Sequence, residues 1–138
     1  QMPVQTISTG LRYLIVPVES PALASAAIAR DLTALLRGHG ADFAVLFDPR
    51  ALEIRRWSND GRMEDFATGS AASVVAAYLV RHAPHTLGEP VLLSQGRHAG
   101  RSSQLFTRVR TGAAAEEHVH IGGTVRAIGD GHLRSLPA

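Results

Sequence analysis

Two adjacent carboxylates, Glu64 and Asp65, stand just before a Thr68-Gly69-Ser70 turn, and an almost wholly apolar run, Ala71 to Val80, follows. Those residue types in that order suit proton transfer on an anionic substrate. The start of a helix leaves backbone N–H groups unpaired, and its dipole favours negative charge. Gly69 lets a ligand come close to the backbone, and Ser70 adds a hydroxyl. Thr68, Gly69, Ser70 and Ala71 therefore form a candidate cradle for an anionic group of a substrate. Asp65 lies just outside it, where a positioned carboxyl group can give or take a proton. Each residue also has a plainer use. Asp65 can cap the turn, Ser70 can cap the helix, and Glu64 can tune Asp65 or face water.

Other reactive side chains form weaker patterns. His118 and His120 lie two apart, so one face of a strand carries both, and with His98 or His132 they could ligate a metal. No cysteine or supporting acid spacing accompanies them, so a solvent-facing pair is the expectation and no metal is expected. His82 and His85 straddle Pro84 at a helix end, where positive charge suits the dipole. Ser8, Ser94 and Ser103 have no His and Asp companions that would make a hydrolytic triad. Gln95 and Arg101 flank a glycine-rich turn. They are candidates for polar contacts near a cleft, or for hydrogen bonds within their own loop.

The elements that must position this chemistry follow from composition and periodicity. The chain has 138 residues, 45% of them hydrophobic and 19% charged, which suits one domain with a buried core over residues 1–138. No run reaches the length of a membrane span, and no charged and apolar leader opens the chain. With cysteine absent as well, a cytoplasmic location is expected. The pI of about 9.9 accompanies a net charge of only +2, because all 14 basic residues are Arg. They are scattered among acids, so a nucleic-acid surface is not expected.

Val4 to Ser8 and Tyr13 to Val18 read as strands joined at Thr9-Gly10. Ser20 as N-cap and Pro21 at the first helical position predict an amphipathic helix over about 21–37, ended by Gly38 and Gly40. Phe43 to Phe47 and Leu52 to Trp57 predict a hairpin through Asp48-Pro49-Arg50. A helix over about 69–83 has almost no polar face, so it must be buried all round. Val91 to Gln95, Leu105 to Arg110, His118 to Ile121 and Thr124 to Ile128 are further strands. The order is too irregular for alternating βαβ units. It predicts an α+β domain, with a curved mixed sheet wrapped around the central helix.

The segment Gly61-Arg-Met-Glu-Asp-Phe-Ala-Thr-Gly-Ser-Ala-Ala resembles the G-x-x-E-D-P-A-T-G-S-A-A signature of the phenazine-biosynthesis PhzF-like isomerases, which share the diaminopimelate epimerase fold. Val4 to Gly10 with Leu14 to Val18 resembles the first strands of that family's second domain. Gln95-Gly96 with Gly100 to Ser103 resembles its Q-G-x-x-x-G-R-P-S segment, and Val119 to Gly123 its V-x-V-G-G strand. The resemblance implies one half of a two-half fold, each half a sheet wound about a helix, with the active site between them. It implies a cofactor-independent isomerase or epimerase acting on a small carboxylic acid, with Asp65 and Ser70 in the site.

Phe66 and Ser102 replace prolines of the family pattern, Ser73 stands where Gly is common, and the segment from Trp57 to Gly61 is one residue short. The family's first half is not in this sequence, and with it goes the Glu that serves as general base in the phenazine enzyme. The expectation is the second, C-terminal half of such an isomerase. Met2 would be a natural start for a half encoded separately, and a fragment would look the same. Partners expected are a small acid and either a second copy or a separate first half. A non-catalytic acid-binding module and a structural interaction domain are the rival readings.

Overall fold

The computed structural model describes residues 2–132. Strands β1 (Gln5–Ser8) and β2 (Arg12–Pro17) form an antiparallel hairpin, and β3 (Phe43–Asp48) runs parallel to β2. A turn at Asp48 returns the chain as β4 (Glu53–Trp57), antiparallel to β3. The two-residue strand β5 (Glu64–Asp65) pairs with the far end of β4. Then come β6 (Val91–Gln95), parallel to β4, and the antiparallel strands β7 (Ser103–Thr111) and β8 (Glu117–Gly122). The result is one mixed sheet in the order β1-β2-β3-β4-β6-β7-β8, with β5 as a side pairing.

The long helix α3 runs over Gly69–His82. It packs against β1 and β2 at one end of the strand order and against β7 and β8 at the other. The sheet therefore curls so that both of its ends reach the same helix. Ala71, Val74, Val75 and Tyr78 of α3 share the core with Ile7, Tyr13, Ile15, Val45, Phe47, Ile54, Leu93 and Leu105. Small residues at Ala71, Ala72, Ala76 and Ala77 let strands approach the helix closely. Tyr78 packs edge-on against Phe47 at 6.3 Å and donates its hydroxyl proton to the Pro3 carbonyl at 2.6 Å. Among the described residues no helix is long and apolar enough to cross a membrane.

The amphipathic helix expected over 21–37 is broken into α1 (Ser20–Ser25) and α2 (Thr33–Gly38). Arg55 supplies the reason. Its Nη1 donates to the carbonyls of Leu23, at 2.6 Å, and Ala24, at 3.1 Å. A continuing helix would have used those acceptors for its next turn. The Leu32 N–H then bonds to the Asn59 carbonyl at 3.0 Å, and the Asp31 carboxylate accepts from the Thr33 N–H at 2.7 Å, which starts the second helix. Ser20 is not the N-cap. Glu19 holds that position, because the Ser20 hydroxyl is engaged by the Asp48 carboxylate.

The strand expected over Thr124 to Ile128 is absent, and residues 123–132 carry no regular structure. Val125 and Ile128 are 88% and 100% exposed, and no strand among the described residues pairs with them.

Asp48 organises the β3–β4 turn. Burial pushes its carboxyl up, but the Ser20 hydroxyl and the N–H groups of Ala51 and Arg50 outweigh burial and hold it below the ordinary carboxylate range. A folded-state value below the unfolded one, about 3.9, means stabilisation that is complete above that pH and lost as pH falls through the folded value. Asp48→Asn should therefore melt lower at neutral pH and lose less on acidification than the parent. Thermal melts across the acid range would read this as converging curves; parallel curves would remove Asp48 from the acid response.

Candidate active site

The β4–β5 register decides which carboxylate meets the interior. Trp57 pairs with Glu64 and Arg56 with Asp65, so the two acids face opposite sides of the sheet. Glu64 turns outward into a bidentate pair with Arg55, both N···O distances being 2.8 Å. Arg55 also lies 4.4 Å over the Trp57 ring. Glu64 therefore points away from Asp65 and pairs with a buried arginine that ends a helix.

Asp65 faces the inner side, beside the start of α3. Its Oδ1 accepts from the Ala67 N–H at 3.3 Å, and its Oδ2 accepts from the Thr68 hydroxyl at 2.6 Å. Both oxygens thus organise the turn that leads into the helix, the capping use expected of this residue type. Gln95, only 1% exposed, clamps that turn. Its Oε1 accepts from the Thr68 N–H at 2.9 Å, and its Nε2 donates to the Asp65 carbonyl at 2.7 Å and to Thr68 Oγ1 at 3.0 Å. An N–H at one end and a carbonyl at the other fix the orientation of the amide.

The first intrahelical bond of α3 runs from the Ala72 N–H to the Thr68 carbonyl at 3.0 Å. No acceptor among the described residues reaches the N–H groups of Gly69, Ser70 or Ala71, and Thr68, the N-cap, makes no side-chain cap bond. Those three donors lie within Thr68 to Ala71, the segment expected from the sequence to hold an anion. Gly69 and Ser70 are half-buried, and Ala71 is buried. The Ile121 side chain comes close to Gly69, where an added Cβ would stand 3.8 Å from its Cγ2. Ser70 hydrogen-bonds to the Tyr13 hydroxyl at 2.9 Å. Its carbonyl accepts from Ser73, whose hydroxyl meets that of Thr9 at 2.6 Å.

A concavity of about 750 Å³ adjoins the same loop, lined by Phe66, Ala67, Gln95, Arg97 and Arg101 among others; Asp65 and Ser70 are not in its lining. Arg101 stacks 4.5 Å over the Phe66 ring, so the aromatic residue that replaces the pattern's proline has a cation for company. Gly96 joins the two loops with φ +88°, and a Cβ there would stand 2.6 Å from the Phe66 carbonyl oxygen. Gly96→Ala should therefore cost about 2–4 kcal/mol, combining strained backbone with a clash against main chain. Urea unfolding measures this, and a loss below about 0.5 kcal/mol would show that the loop can give way.

The histidines do not converge. His118 and His120 lie on one face of β8, opposite Arg110 and Arg108 of β7. Among the described residues no group of three or more His, Cys, Asp or Glu could hold a metal ion. His82 donates from Nε2 to Gln5 Oε1 at 2.8 Å and packs against the Tyr78 ring, while the His85 side chain lies outside what is described. Two residues of this face were not legible in sequence. Tyr13 read only as a strand residue. Arg56 read only as a residue of the strand Leu52 to Trp57, because its partner strand is two residues long and has no periodicity.

The sequence matches the family model for phenazine biosynthesis-like proteins, PhzC-PhzF, over residues 1–131. A trans-2,3-dihydro-3-hydroxyanthranilate isomerase of Pseudomonas chlororaphis is 33% identical over 137 residues, which is 95% of this chain and 48% of that protein. The protein of the same name from Pseudomonas aeruginosa is 31% identical, over 94% of this chain and 47% of its own length. Among solved structures, a predicted epimerase from Pseudomonas aeruginosa is 42% identical with a TM-score of 0.76, covering 91% of this chain and 45% of that one. A PhzF-family phenazine biosynthesis protein of Bacillus anthracis shares the fold, with a TM-score of 0.71 at 19% identity, over 88% of this chain and 46% of that one. The chain spans about half the length of the curated relatives it matches. It belongs to the PhzC-PhzF family of phenazine biosynthesis-like proteins.

Proposed function

We propose that this chain is the C-terminal half of a PhzF-like isomerase that moves a proton on a small carboxylic acid without a cofactor. The observation that carries the reading is the meeting, at one turn, of Asp65 with the N–H groups of Gly69, Ser70 and Ala71, which have no acceptor among the described residues. In this reading Thr68 to Ala71 hold the substrate carboxylate, Ser70 assists with its hydroxyl, and Asp65 exchanges a proton with the carbon beside it. A second group on the opposite face of that carbon would come from a partner half. The isomerase names of the relatives and the coverage of about half their length support the same reading.

The experiment is solvent exchange. The chain, mixed with a first half-domain from a family relative, is incubated with candidate unsaturated or hydroxylated acids in D2O. Carbon-bound deuterium read by mass spectrometry is the expected result, and its absence with every acid that binds would overturn the isomerase reading. One observation favours the rival in which the chain only binds acids: both Asp65 oxygens are occupied by the turn. Binding without exchange would select that rival.

Assembly is part of the same reading. Met63, Phe66 and Ile121 stand exposed around the motif. Large apolar patches are uncommon on soluble monomers, and a specific interface buries about 1,200–2,000 Å². The isolated chain should form a homodimer, replaced by a heterodimer when a first half is supplied. Light scattering after size exclusion gives the mass. A stable monomer unaffected by any first half would rule this assembly out.

A further inference from the structure

We propose that Arg56 is the charged arm of the acid-binding face, pairing with the carboxylate of the ligand beside Asp65. The inference rests on the acid-binding reading above and adds the residue that would make the face selective for anions.

Side chains alternate along β4, so Arg56 shares the inner face with Ile54, a member of the core. The antiparallel register sets Arg56 directly opposite Asp65. Such cross-strand neighbours keep their Cβ atoms about 4.5–5.5 Å apart, close enough for an ion pair. No such pair forms. Asp65 turns both oxygens to the Ala67 N–H and the Thr68 hydroxyl instead. The Arg56 guanidinium lies 4.7 Å over the Phe43 ring, and its Nε is buried with no hydrogen-bond partner.

The surroundings of that cation lead back to the helix start. Phe43 packs against Tyr13 with ring centres 5.3 Å apart, and the Tyr13 hydroxyl meets Ser70 at 2.9 Å. Arg56, Phe43, Tyr13, Ser70 and Asp65 therefore form a continuous chain of contacts and pairings on one face. Arg12, Arg55, Arg62 and Arg97 each have a carboxylate partner within this chain, whereas no protein carboxylate neutralises Arg56 among the described residues. A buried donor without an acceptor is costly, and a carboxylate that draws the guanidinium off the Phe43 ring would supply the acceptor. The planar guanidinium matches a carboxylate through two parallel N–H···O bonds, so it fixes orientation as well as charge. A carboxylate held there would set its neighbouring carbon toward Asp65.

The test uses the isolated chain with benzoate and its neutral isostere benzamide, followed by 15N NMR that includes the arginine Nε–H signals. Benzoate should shift the Arg56 Nε–H together with the Gly69, Ser70 and Ala71 amides, and benzamide should bind at least about tenfold more weakly. Arg56→Gln should weaken benzoate at least about tenfold and leave benzamide unchanged. Arg56→Lys keeps charge but not the fork and should fall between. If Arg56→Gln does not fold, the parent Nε–H shift and the Lys variant still decide the matter. Benzoate shifts at Gly69 to Ala71 with a silent Arg56 would overturn this inference and leave the acid-binding reading standing. Silence at both would overturn both.

Discussion

Glu64→Ala should remove about 3–5 kcal/mol of folding stability, the cost of stranding a buried charge. Against a typical total of about 5–15 kcal/mol, that is enough to unfold much of the population at modest temperature. The Arg55 and Glu64 side chains are only 7% and 12% exposed, and Glu64 is the carboxylate within reach of that guanidinium. The damage should spread beyond the pair. Arg55 also caps the carbonyls of Leu23 and Ala24, so a displaced guanidinium releases the end of α1. Changing both residues, Arg55→Met with Glu64→Leu, should recover a large part of the loss, since an apolar pair leaves no unpaired charge. Urea unfolding of the two single variants and the double variant gives the coupling directly. A single-variant loss under about 1 kcal/mol would place the pair with ordinary surface ion pairs.

The second large effect is on rate. In an assembly that exchanges carbon-bound protons, Asp65→Asn should lower the exchange rate by about 10²–10⁴-fold. An amide cannot carry the proton at neutral pH. Stability should change little, about 1 kcal/mol, because the Asn carbonyl can still accept from the Thr68 hydroxyl while only the longer contact with the Ala67 N–H is lost. Exchange rate and melting temperature measured on the same samples separate the two roles. An unchanged rate would leave Asp65 as a capping residue alone.

Much of the architecture was legible because periodicity survives in long elements. The helix beginning at Gly69 has no polar face to confuse its reading, and it ends at His82, one residue before the expected boundary. The strands at 5–8, 12–17, 43–48, 53–57 and 91–95 follow apolar runs punctuated by Gly and Pro. The break between α1 and α2 was not legible. It depends on Arg55, which lies about thirty residues away along the chain, and local helical spacing over 21–37 carries no trace of it. Thr124 to Ile128 has strand-like residues, but a strand also needs a neighbour, and pattern cannot supply one. In the candidate site, the family-like motif marked Asp65 and Ser70 and the turn between them. Register marked the rest: Glu64 and Asp65 are adjacent in sequence and opposed in space, and Arg56 meets Asp65 only through a two-residue pairing.

The closure of both sheet ends on α3 has a kinetic consequence. Tyr78 reaches back to Pro3 and His82 to Gln5, while β7 and β8 cover the helix from the other side of the sequence. The core helix thus has no complete shelter until residues beyond 110 have been made. Contacts of such separation must overcome loop-closure entropy before they return any stabilisation, which places the chain among slow folders. During synthesis or refolding, the apolar surface of 71–80 stays open for that interval and offers itself to other unfinished chains. Refolding yield should therefore fall with protein concentration well before native-state solubility is reached.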